Sequence, residues 1–141
     1  MFDELNKYKS NNHFFLTKKN DLQNVCNAPE DGIGVYVVYA LKGGRIELVY
    51  IGSSGKLTQE RKGLVHQGGL GDRIVNVKPF GEPRKKSFKS LVIAENIEAL
   101  DIYWYETFDK ENRDLPNTIK GILLQRFYEV HGRLPRWNKE F

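Results

Sequence analysis

Two runs of β-branched and aromatic residues, Ile33 to Leu41 (IGVYVVYAL) and Ile46 to Ile51 (IELVYI), flank the tetrapeptide Lys42-Gly43-Gly44-Arg45. Paired glycines supply the positive φ angles of a tight hairpin turn, so this segment predicts a β-hairpin and commits the chain to an antiparallel sheet. The hairpin carries a tyrosine beside a glycine on each strand, in Gly34-Val35-Tyr36 and in Val49-Tyr50-Ile51-Gly52. Side chains alternate along a strand. Tyr36 and Tyr39 therefore point to opposite faces, and only one of them can lie beside Tyr50.

The rest of the chain reads as α/β, specifically α+β, a small three-stranded antiparallel sheet flanked by helices. Leu100 to Phe108 is aromatic and β-branched and predicts the third strand. A helix starts near Pro116 or Asn117, buries Ile119, Ile122, Leu123, Leu124, Phe127 and Val130, and stops at Gly132. Shorter helices are expected over 20–25 with an Asn or Asp cap, over 72–77 capped by Asp72, and near Leu91-Val92-Ile93-Ala94. Arg61 to Gly71 reads as a polar, glycine-rich loop, and the tail Leu134-Pro135-Arg136-Trp137-Asn138 is apolar enough to dock. With 141 residues, 40% of them apolar, the chain has material for one domain core. Residues 1–29 read as an N-terminal extension and 30–141 as the domain.

A single cysteine, Cys26, leaves no internal disulfide, and no apolar run approaches the roughly 20 residues of a bilayer span. The polar N-terminus lacks the pattern of a secretory signal. A cytoplasmic protein with no membrane partner is the expectation. Between residues 78 and 89, five basic side chains (Lys78, Arg84, Lys85, Lys86, Lys89) face the single acid Glu82, so this stretch holds as much positive charge as the whole chain, +4. Such a loop can track a nucleic-acid backbone by displacing counterions, or it can be a plain solvated loop.

The order Gly-Val-Tyr, Val-Tyr-Ile-Gly, Gly71-Asp72-Arg73-Ile74 and a helix followed by Pro135-Arg136-Trp137-Asn138 resembles the GIY-YIG nuclease domain over about residues 32–138. The resemblance implies a DNA endonuclease that hydrolyses phosphodiester bonds with Mg²⁺ or Mn²⁺. It assigns Tyr36 and Tyr50 to the motif tyrosines, Arg73 to the family arginine and Asn138 to the C-terminal asparagine. Arg73 can fork onto phosphate oxygens, and a phenol could activate water if a nearby cation lowered its pKa. Asn138 could hold the C-terminal segment or orient a phenol. His66, in the glycine-rich stretch, joins them as a catalytic candidate.

Each residue also has a structural reading: strand aromatics for Tyr36 and Tyr50, a cap or ion pair for Arg73, a turn for Asn138, a loop surface for His66. One departure from the family pattern matters most. The resemblance implies a metal-binding glutamate on the last helix, and the positions it points to hold Lys120 or Gln125; Glu129 is a displaced substitute, with Glu60 and Glu106 as more distant carboxylates. A lysine would fill such a site with its own charge. Two expectations follow: a metal-dependent endonuclease, impaired or rescued by another carboxylate, or a catalytically inactive nucleic-acid-binding or interaction module. A small nuclease domain of this size is further expected to cut with low specificity or as a homodimer.

Overall fold

The computed structural model describes residues 2–55, 57–77, 79 and 87–140. In chain order the elements are β1 (Asn11–Leu16), α1 (Leu22–Val25), β2 (Gly34–Lys42), β3 (Arg45–Ser53), β4 (Leu57–Glu60), β5 (Gly63–His66), α2 (Leu70–Asn76), α3 (Phe88–Ala94), β6 (Ala99–Glu106) and α4 (Pro116–His131). β2 and β3 form the expected hairpin. Gly43 and Gly44 make its turn with φ of 57° and 74°, in the left-handed region that matches the twist of the strands.

The main sheet is antiparallel with strand order β1-β6-β2-β3. It has four strands among the described residues, not the three expected. The fourth comes from the stretch read as an N-terminal extension: β1 pairs with β6 from Asn11↔Tyr105 to Leu16↔Leu100 and buries Phe14 and Leu16. Leu5 and Tyr8 are also buried in the body, and the Tyr8 hydroxyl donates to Asp114 at 2.6 Å. The stretch expected to be loop holds a second, two-stranded sheet, β4–β5, and α2 begins at Leu70. Asp72 sits in the first turn of α2, and Gly69 takes the cap position. The ribbon escaped notice because its side chains are largely solvent-facing and carry no apolar alternation.

Helices cover both faces of the main sheet. On one face Tyr36, Val38, Ala40, Val49, Leu100, Ile102 and Trp104 pack with Leu70 and Ile74 of α2, Phe88, Leu91 and Val92 of α3, and Trp137. On the other, Val35, Val37 and Ile51 meet Ile119, Leu123 and Leu124 of α4. α4 therefore buries the apolar stripe read from its spacing, although Ile122 and Val130 stay exposed. The tail docks as expected, with Trp137 fully buried. Among the described residues no helix is long and apolar enough to cross a membrane.

Candidate active site

The two motif tyrosines meet because of an irregularity in the hairpin. Val38 pairs with Tyr50 but Tyr39 pairs with Leu48, so Val49 is an extra residue in β3, a β-bulge. In an unbroken ladder Tyr50 would share the face of Leu48, which packs on the α4 side. The bulge turns Tyr50 to the opposite face, beside Tyr36, while Tyr39 stays with the α4-side cluster. The Tyr36 and Tyr50 ring centroids lie 6.0 Å apart with planes tilted by 36°. The Tyr36 hydroxyl donates to the Tyr50 oxygen.

The motif glycines exist to let this happen. Gly52 lies opposite Tyr36 in the ladder, and a Cβ there would sit 2.3 Å from Tyr36 Cζ and 2.5 Å from its hydroxyl oxygen. A Cβ on Gly34 would lie 1.8 Å from the Tyr105 carbonyl oxygen of β6. Both positions exclude a side chain by close approach.

Arg73 on α2 is exposed, its side chain running against Gly68, and it makes no ion pair among the described residues. Its charge reaches Tyr36, Tyr50, His66 and Lys120. It does not make a base of either phenol. Burial pushes the Tyr36 hydroxyl well above the ordinary phenol value, with Tyr50 adding to the rise and Arg73 opposing it. Burial also raises Tyr50, against smaller downward effects of the Tyr36 hydrogen bond and Arg73. At neutral pH both are protonated. The expected water-activating phenol is thus replaced by a pair of hydroxyls that position and donate.

His66, at the end of β5, is the group with basic character. One ring nitrogen donates to the Gly55 carbonyl, and its Nε2 is buried with no hydrogen-bond partner among the described residues. Burial lowers its pKa, and Arg73 adds to the fall against Asp31 and the Gly55 bond. The ring is therefore neutral near pH 7, with a bare acceptor nitrogen in the neighbourhood of an unpaired guanidinium.

Asn138 does structural work. Its Oδ1 accepts from the Ile51 N–H and its Nδ2 donates to the Ile51 carbonyl, both at 2.9 Å. Together with the Trp137 N–H donating to the Val49 carbonyl at 2.9 Å, this covers the β3 edge beside the bulge. Both ends of the amide are committed, so Asn138 is a positioning residue for Tyr50 rather than a group that touches substrate. Phe88 completes the support, edge-on to Tyr50 at 5.7 Å and stacked on Trp137 at 6.0 Å.

Of the carboxylate positions considered on α4, Lys120 is the one at the site. Asn117, one turn earlier, accepts from the Ser53 hydroxyl at 3.1 Å, which fixes the start of α4 beside the end of β3. Lys120 follows on that side, half-buried, its pKa lowered by burial and by Arg73 against an upward pull from Glu140. α4 packs on the opposite face from Arg73, so this coupling places Lys120 near the β3 edge, where the two faces meet. Gln125 is exposed and five residues along the helix, turned away from Lys120. Glu129 is exposed and lies 3.7 Å from Arg126, Glu106 accepts from Ser10 at 2.6 Å, and Glu60 is exposed on the ribbon. Among the described residues no three His, Cys, Asp or Glu side chains come together. Two cations and two protonated phenols do not fit a divalent metal, which requires anionic oxygen.

Of the basic run, Lys89 pairs with Asp21 at 2.7 Å, while Lys78, Arg84, Lys85 and Lys86 lie outside the described residues. Sequence reasoning missed the bulge at Val49 and the Asn117–Ser53 anchor; neither leaves a local signal. Comparison with protein-family models, with curated proteins and with solved structures gives no match. The functional reading rests on the geometry and on the motif resemblance.

Proposed function

We propose that the chain is a GIY-YIG-like endonuclease that acts on the phosphodiester backbone of DNA. The observation that carries this reading is the convergence of the hydrogen-bonded Tyr36–Tyr50 pair with an unpaired Arg73 and an orphaned His66 Nε2. Hydrolysis needs an oriented phosphate, neutralisation of the charge that builds on its oxygens, and a base for the attacking water. Arg73 forks onto the non-bridging oxygens, the Tyr50 hydroxyl donates to the same phosphate, and His66 Nε2 takes the proton of the water.

A second reading has a specific observation in its favour. Lys120 stands where the resemblance implies a metal-binding glutamate, so the same surface would serve as a DNA-binding module without chemistry. A plasmid-nicking assay with Mg²⁺ or Mn²⁺, paired with a mobility-shift assay over a salt series, separates the two. Nicking by the native protein that is lost in Arg73→Ala supports the nuclease. Salt-sensitive binding without nicking transfers the conclusion to the binding module, and no affinity for DNA at low salt defeats both.

A further inference from the structure

Lys120 and Arg73 are close enough to disfavour each other's charge, and neither makes a hydrogen bond or ion pair among the described residues. Like charges held together in a partly desolvated place cost stability unless an anion joins them. The only carboxylate that acts on Lys120 is Glu140, exposed on the C-terminal tail. The anion missing from this arrangement is a ligand with charge to share between a guanidinium and an ammonium, and a backbone phosphate fits.

Resting on the nuclease reading above, we propose that Lys120 takes the place of the metal ion, so that this protein cleaves DNA phosphodiesters without a divalent cation. The oxygen of a water bonds to phosphorus as the P–O3′ bond breaks. The water proton passes to His66 Nε2, and the leaving 3′ oxygen takes a proton from the Lys120 ammonium. The products are a 5′-phosphate and a 3′-hydroxyl, and exchange with solvent returns the proton from His66 to Lys120. Arg73 holds the non-bridging oxygens throughout. A tethered ammonium is weaker than Mg²⁺ as an electrophile but needs no recruitment, and a half-buried site strengthens its field.

The test uses the full chain, purified through EDTA, in plasmid-nicking reactions with either EDTA or Mg²⁺, comparing native protein with Lys120→Met and Lys120→Glu. Methionine keeps the aliphatic stem and removes a desolvated charge, so thermal melting shows whether this variant is folded. The expected result is equal nicking by native protein in EDTA and in Mg²⁺. Loss of that nicking by about 100-fold or more in Lys120→Met, the scale of removing one charge-stabilising group, is expected in both buffers. Lys120→Glu should nick only with Mg²⁺. Native nicking that requires Mg²⁺, or Lys120→Met nicking like native in EDTA, overturns this inference while leaving the nuclease reading intact. Native protein and Lys120→Glu both inactive in both buffers would overturn the nuclease reading itself.

Discussion

Gly52→Ala isolates the packing that brings the two tyrosines together. The new methyl carbon would lie 2.3 Å from Tyr36 Cζ, 2.5 Å from its hydroxyl oxygen and 2.7 Å from Cε1, more than 1 Å inside the 3.4–4 Å range of ordinary contact. Tyr36 is 1% exposed, so its ring cannot swing into solvent. The clash must be relieved by moving the ring off Tyr50 or by parting β2 from β3. Overpacking of this kind costs about 1–3 kcal/mol. In a domain of this size that lowers the melting temperature by roughly 3–12 °C. The φ of Gly52 is not in the left-handed region, so no backbone penalty is mixed into the figure. A thermal-denaturation cycle with Tyr36→Val supplies the control. With the ring gone, Gly52→Ala should cost almost nothing, a coupling of at least about 1 kcal/mol between the two sites. A cost below ~0.5 kcal/mol in the native background, or an equal cost in both backgrounds, would refute the claim that Gly52 is there to seat Tyr36.

Asn138→Ala strands the N–H and carbonyl of Ile51 at the β3 edge and should cost about 1–3 kcal/mol in a denaturant titration, less to the extent that water replaces the amide. Asn138→Asp keeps the acceptor but loses the donor, so it should recover only part of that stability. His66 has a lowered pKa in the folded state, so the unfolded chain takes up a proton first as pH falls. Stability tied to this group is intact above the unfolded value of ~6.5 and declines as pH drops through it towards the folded value. The acid limb of the nicking profile should accordingly lie below pH ~6.5, and the stability decline should flatten in His66→Gln; a limb above that pH would mean another group is the base.

The hairpin, the aromatic third strand, the long helix and its stop at Gly132 were legible because each is written in local chemistry. Glycines in a turn, alternation along a strand and a 3.6-residue stripe need no distant partner to be read. The docked tail was legible for the same kind of reason, since an exposed Trp137 would be costly. β1 was not, because its partner β6 lies at the other end of the chain and pairing across such a distance leaves no periodic trace. Nor was the face of Tyr50. A strict period of two gives the wrong answer wherever a bulge adds a residue, and the bulge at Val49 is visible only in the register with β2. The sequence by itself supplied the two tyrosines, the arginine, the histidine and the lysine at the place of an expected glutamate. Only the tertiary structure decided which of them share a site. Arg73 acts on Tyr36, Tyr50, His66 and Lys120 because α2, the ribbon and α4 converge near the end of β3, and charges interact through space rather than along the chain.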